Sequence, residues 1–174
     1  MNPFTLSEVR RPKSKGLIVI VTVLLLAACG YRFTAPAGPL PNGIRAVRAP
    51  LFENGTQEPG AEVFFTQALR EQLSRSGTLG GEDAEPLVRG VVTGVSSGPL
   101  VSTPNRLPNY RLSASAHLVL VSRGQELVAT DISGSEDFPP GADVLLTEQN
   151  RAAALRRLAE TMMREGYERL CTGF

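Results

Sequence analysis

The clearest pattern in the chain is an alternation of apolar and polar residues that begins at position 110 and runs to position 118 of a segment ending at 121. A period of two places successive side chains on opposite faces, so this segment predicts a β-strand with one buried face. The predicted buried set is Tyr110, Leu112, Ala114, Ala116, Leu118 and Leu120. The opposite set is Arg111, Ser113, Ser115 and His117, before Val119 and Val121 make the end apolar on both faces. Arg123-Gly124 then predicts a tight turn into a second strand of a hairpin, over residues 125–135.

Two other segments repeat apolar residues every three or four positions, which predicts amphipathic helices. In the first, Pro59 suits the opening turn and Gly77 suits the end. Its predicted buried stripe is Phe65, Ala68, Leu69, Gln72 and Leu73. In the second, Thr147 suits the N-cap, with Glu148 in the first turn. Its predicted buried stripe is Leu155, Leu158, Ala159, Met162, Met163 and Leu170, and its predicted solvated arginines are Arg151, Arg156, Arg157, Arg164 and Arg169.

The remaining segments complete a strand, helix, three-strand, helix order. Residues 44–52 predict a first strand that ends in a turn at 53–56, and residues 87–96 predict a second strand. Three prolines make residues 98–109 a loop. A right-handed crossover would set the first two strands parallel and leave the others antiparallel. The expected fold is a two-layer α+β sandwich, a four-stranded mixed sheet with both helices on one face. The other face is then free to be wet or to dock a partner.

The N-terminal region has the pattern of a lipoprotein signal peptide. Four basic residues precede an apolar run that closes with Leu26-Ala27-Ala28-Cys29. Its apolar core, residues 17–28, is too short to span a bilayer of about 30 Å as a helix. We expect cleavage after residue 28, acylation of Cys29 and anchoring through three acyl chains. The alternative is a signal anchor that is never cut; twin-arginine export is disfavoured because Pro12-Lys13 follows the arginine pair.

This interpretation divides the chain into a signal peptide at 1–28, a lipidated tether at 29–42 and a domain at 43–174. Gly30 follows the lipidated cysteine, where aspartate would be the retention residue, and this favours the outer membrane. Without the leader the chain has 14 basic and 16 acidic residues, with no lysine. A near-neutral domain lacks the basic surface that nucleic acid requires. We expect a lone Cys171 thiol that is inert and partly buried.

No motif in the chain predicts catalysis, a cofactor or a metal. Gly94-Val95-Ser96-Ser97-Gly98 matches the nucleophile elbow of serine hydrolases, but prolines deny the helix that must follow it. No acidic residue lies between Ser96 and His117, so the order of the catalytic triad also fails. His117 is the only histidine, and no group of Cys and His residues has ligand spacing. We therefore expect a protein that is not an enzyme and binds no metal.

Several segments together resemble the LptE family of lipopolysaccharide-assembly lipoproteins. They are Cys29-Gly30-Tyr31-Arg32-Phe33, residues 40–44, residues 50–54 with 58–60, residues 64–77 and residues 146–170. Each is a weak match alone, but their order and spacing are specific and cover nearly all of the chain after the leader. The resemblance implies a plug that sits inside LptD, the outer-membrane β-barrel that inserts lipopolysaccharide, and that helps this barrel to fold.

The resemblance also implies lipopolysaccharide binding by basic residues in loops beside the sheet. Arg106 lies in the corresponding loop and Arg111 opens the next strand, and arginine pairs well with phosphate. An ordinary exposed loop arginine is the alternative for Arg106. The connection at 138–146 carries Asp143 and no basic residue, so the chain departs from the family if the family uses a cation there. A lipoprotein adaptor for another envelope machine, such as a peptidoglycan synthase, stays open as a second function.

Overall fold

The computed structural model describes residues 40–100 and 109–173 of the 174-residue chain. The predicted signal peptide, most of the predicted tether and residues 101–108 lie outside the described residues. Cys29 and Arg106 lie outside them as well. The described chain begins with the buried Leu40 and a short 3-10 turn at Pro41–Gly43.

Four strands form one mixed sheet, as the sequence predicts. They are β1 (Glu53–Asn54), β2 (Leu87–Pro99), β3 (Tyr110–Ser122) and β4 (Gln125–Phe138), in the spatial order β1-β2-β3-β4. β1 is parallel to β2, and the other neighbours are antiparallel. The β3–β4 hairpin turns at Arg123 and Gly124, both with positive φ, which is the backbone that a tight two-residue hairpin turn requires.

The prediction of a first strand over 44–52 is wrong, because this segment does not pair continuously with the sheet. Only Val47 and Arg48 make single parallel bridges there, and the paired strand is the two-residue β1. Pro50 has no N–H to give to a ladder. The neighbouring backbone instead bonds to side chains of the first helix: Thr66 accepts from the Phe52 N–H at 2.9 Å, and Arg70 donates to the Ala49 carbonyl at 2.8 Å.

Two helices, α1 (Ala61–Arg75) and α2 (Val144–Thr172), pack on one face of the sheet and on each other. The prediction that Thr147 caps α2 is wrong. Asp143 is the N-cap, and its carboxylate accepts a hydrogen bond from the Leu146 N–H at 2.7 Å. The helix therefore begins about one turn earlier than predicted. Within the described residues, no helix combines the length and the apolarity needed to cross a membrane.

The core lies between the helices and the predicted inner face of β3. Leu69 and Leu158 are both buried there, as are Leu112, Leu118 and Leu120. Gln72 is only half-buried, whereas Tyr167, which the helical pattern did not include, is buried in the same layer. Gly90 lets the Phe52 ring pack directly against the backbone of β2, because the ring occupies the space that a side chain at Gly90 would take.

Candidate functional site

The candidate site is the face of the sheet that the helices leave uncovered. Its centre carries five serines on three adjacent strands, here called the serine face: Ser96, Ser113, Ser115, Ser133 and Ser135. These side chains line a shallow depression of about 620 Å³. The alternation on β3 and β4 places them there, because successive strand residues point to opposite faces. The surface is therefore made of small hydroxyl groups, with no bulky side chain across it.

A register shift in β2 helps to shape the serine face. The pairing of β2 with β3 shifts between Val92 and Gly94, which brings Gly94 opposite Ser115. A β-carbon at Gly94 would lie 2.7 Å from the Ser115 hydroxyl oxygen, so only glycine leaves room for that hydroxyl. Thr93 donates a hydrogen bond to the same oxygen at 3.0 Å. The glycine at position 94 is therefore required by the close approach of Ser115.

An ion pair bounds the serine face at the end where β3 begins. Arg111 donates from Nε and Nη2 to the two carboxylate oxygens of Asp137, at 2.8 and 3.0 Å. The hydrogen bond and the charge of Asp137 raise the pKa of Arg111, and the Arg111 hydrogen bond lowers the pKa of Asp137. Both side chains stay about half exposed. Arg111 is therefore at the surface, as predicted, but it is held by a carboxylate from β4.

A second polar pair bounds the other end of the serine face. His117 Nδ1 lies 2.7 Å from the Asp131 carboxylate, directly across the β3–β4 ladder. Arg169 of α2 donates to the Asp131 backbone carbonyl at 2.8 Å. Beyond this pair, Val119 and Val121 are buried, as the apolar end of the β3 pattern predicts.

This arrangement offers hydrogen bonds but no reaction centre. The G-x-S-x-G match lies inside β2, where Ser96 pairs with Ser113, while His117 pairs with Val91 further along the ladder. A strand does not expose a nucleophile as the sharp turn before a helix does. No cluster of three or more potential metal ligands occurs within residues 40–100 and 109–173. The open face is suited to docking a polar partner.

The start of α2 differs from the sequence-based expectation in two respects. Arg151, predicted to be solvated, forms a largely buried ion pair with Glu58, from the turn before α1, and its pKa is raised by that hydrogen bond. Val144, Leu145 and Leu146 are 80, 69 and 42% exposed. A continuous apolar run usually marks a buried segment, so nothing in the sequence indicates this exposure.

Cys171 is the one candidate thiol in the described part of the chain. It is half-buried near the end of α2, and desolvation by burial raises its pKa. A raised pKa leaves less of the reactive thiolate at neutral pH. This agrees with the expectation of an unreactive cysteine.

Comparison with known proteins identifies one family. The sequence model of the LptE family, described as lipopolysaccharide-assembly, matches residues 44–170. No curated protein sequence matches the chain. Among solved structures, the fold is similar to a protein of Caulobacter crescentus CB15 described as a lipoprotein, with a TM-score of 0.51 and 14% identity over 70% of this chain and 88% of that one. It is also similar to protein XCC0632 of Xanthomonas campestris, with a TM-score of 0.50 and 12% identity over 79 and 91% of the two chains.

Proposed function

Because the chain belongs to the LptE family of lipopolysaccharide-assembly proteins, we propose that it is the lipoprotein plug and assembly partner of an LptD-type outer-membrane barrel. The observation that carries the proposal is the family match, which spans β1 to α2. The open sheet face supports it. A neutral surface of small hydroxyl groups suits the wet, polar interior of a large barrel. A non-enzymatic role is in keeping with this family.

The barrel partnership is tested by copurification after detergent extraction of outer membranes. The full, lipidated chain carries a C-terminal affinity tag, and the captured proteins are identified by mass spectrometry. We expect an LptD-type barrel in amounts comparable to the tagged chain, and less folded barrel when the chain is depleted. Capture of a peptidoglycan synthase or another envelope machine without any barrel would refute the proposal and favour the adaptor function.

The proposed anchor is the acylated Cys29, which holds the domain at the periplasmic face of the outer membrane. One acyl chain binds a membrane weakly and reversibly, whereas three give stable attachment. Labelling with a radioactive fatty acid tests this site. We expect Cys29→Ala to lose the label and the matched control Cys171→Ala to keep it. Equal labelling of Cys29→Ala and the unchanged chain would refute the anchor.

The proposed lipopolysaccharide contacts are Arg106 and Arg111. Arg111 uses two N–H groups on Asp137, and its guanidinium has five in total, so donors are left for a lipid phosphate. Charge-assisted bonds from arginine to phosphate are among the stronger hydrogen bonds in proteins. We propose that Asp137 holds the Arg111 guanidinium in place at the edge of the serine face while its free donors face the lipid.

Lipopolysaccharide binding by the purified chain across a salt series tests these two arginines. The double variant Arg106→Glu with Arg111→Glu should bind more weakly, most clearly at low salt, because exposed charges are screened as salt rises. Arg164→Glu, an exposed charge reversal on α2, is the matched control. If the double variant binds like Arg164→Glu at every salt concentration, the lipid site lies elsewhere.

A further inference from the structure

The sheet ends on one side at β4, a 14-residue edge strand. Arg169 of α2 donates a hydrogen bond to the Asp131 carbonyl, which shows that the Asp131 carbonyl points away from β3. In an antiparallel pair, the N–H and C=O of one residue point to the same side, and the side alternates along the strand. The β3–β4 register is unbroken from Val128 to Phe138. The N–H and C=O groups of Ser133, Ser135 and Asp137 therefore also point away from β3.

These three residues form a free edge, here called the β4 edge. Within residues 40–100 and 109–173, no hydrogen bond reaches their outward N–H and C=O groups. The hydrogen bond from Arg169 reaches only Asp131, which lies two residues before the β4 edge begins. The Ser133 and Ser135 side chains are exposed and small, so they leave an approaching chain unobstructed.

The β4 edge also lacks the usual protection against strand pairing. Natural edge strands are blunted by lysine, proline, unpaired charges or a bulge. β4 contains neither lysine nor proline, and its one irregularity lies at the hairpin end. The carboxylates nearby are already neutralised, since Arg111 pairs with Asp137 and Arg157 donates to Glu136 at 2.8 Å. An incoming backbone beside residues 133–137 therefore finds unpaired N–H and C=O groups, with both carboxylates of that stretch held in ion pairs. The exposed Asp131 carboxylate lies before this stretch, beside His117.

We propose that an extended, uncharged segment of the barrel partner adds to the sheet along the β4 edge. The occupant must be an extended chain, because alternating N–H and C=O groups two residues apart match only another strand. Pairing with a second copy would join about five residues per chain. A stable interface uses about 20–30 residues and roughly 800 Å² per partner, so this pairing is too small. A barrel that surrounds the domain can add the missing area through the adjacent serine face. This inference rests on the proposed function and names where the partner binds.

The test removes one outward N–H without changing the ladder to β3. Ser135→Pro does this, since proline lacks the N–H and is tolerated on edge strands. The preceding Gly134 accommodates the ring, because glycine has no β-carbon to clash with it. Ser135→Ala is the matched control, which loses the hydroxyl and keeps the N–H. All forms are full, lipidated, tagged chains captured from detergent-extracted outer membranes, and the barrel retained per chain is measured.

We expect Ser135→Pro to retain about 3- to 10-fold less barrel than Ser135→Ala, the range expected for one net hydrogen bond. Hydrogen exchange supplies a second measurement on the unchanged chain, which does not depend on how the proline variant folds. The amides of Ser133, Ser135 and Asp137 should be protected in the barrel complex and exchange rapidly in the free chain.

Three results would overturn the proposal. The first is equal barrel retention by the proline and alanine variants, with fast exchange at the β4 edge in the complex. It would show that the barrel does not bind this edge, while the barrel partnership itself would stand. Protection of these amides in a concentration-dependent dimer of the free chain would assign the edge to a second copy. Capture of no barrel by the unchanged chain would overturn the proposed function and this inference together.

Discussion

Replacing Gly90 by alanine should destabilise the domain through a single added methyl group. Gly90 lies in β2 opposite Leu118, on the face that the helices cover. A β-carbon there would lie 2.5 Å from Cδ2 of Phe52 and nearer still to two other ring carbons. Optimal carbon–carbon contacts are about 3.5–4.0 Å, so the ring would have to move by about 1 Å.

The surroundings resist that movement. Phe52 is 3% exposed, and its backbone N–H is bonded to the Thr66 hydroxyl of α1. Overpacking of this kind costs about 1–3 kcal/mol. For a domain of this size, that corresponds to a fall of about 3–10 °C in Tm. Gly98→Ala in the same strand is the matched control, since a β-carbon at Gly98 meets nothing within 4 Å.

Thermal and urea unfolding of a non-lipidated chain that begins at Gly30 measures both effects. Gly98→Ala should leave stability unchanged or raise it by about 0.4–1 kcal/mol, because alanine restricts the unfolded chain. The reasoning fails if Gly90→Ala melts at or above the temperature of the unchanged chain. It also fails if Gly98→Ala loses as much stability as Gly90→Ala, because the effect would then come from the strand and not from Phe52.

Three further predictions concern the core and the two main ion pairs. Leu158→Ala should cost about 2–5 kcal/mol in urea unfolding, because Leu158 is buried between α2 and the sheet, and an unchanged midpoint would contradict this. Glu58→Gln should cost about 1–3 kcal/mol, since it leaves the largely buried Arg151 without its main partner; equal midpoints would show that the pair contributes nothing. Arg111→Gln should return the pKa of Asp137 toward 3.8, seen by NMR titration of its carboxyl carbon. Because the paired Asp137 has a lowered pKa, its stabilising effect is present above that ordinary value and is lost as pH falls through the lowered one; an unshifted titration in Arg111→Gln would refute the pairing.

Local periodicity accounts for what could be predicted of the fold. The alternation in β3, the two helical stripes and the glycine turn at Gly124 each depend on residues close in sequence, so the element order and mixed topology followed from them. The segment at 44–52 could not be predicted in the same way. Val47, Ala49 and Phe52 are buried there, but Leu51 is 61% exposed. The backbone of the segment bonds to Thr66 and Arg70, which lie 14 and 21 residues further along the chain.

The candidate site shows the same division. The sequence by itself determined that Ser113, Ser115 and His117 share one face of a strand, because a period of two is a property of extended backbone. Only the tertiary structure decided what lies beside them. A two-residue hairpin without a bulge would place Glu136 opposite Arg111, but the register shifts by one residue between Leu120 and Val121, and Asp137 takes that position. A one-residue shift moves every later side chain of a strand to the other face. That shift brings Ser133 and Ser135 onto the open face and Asp137 to Arg111, because it lets Ile132 and Phe138 pack into the core. The alternation in β4 shows which residues share a face, but the partner opposite each one is decided only when the strands pair and pack.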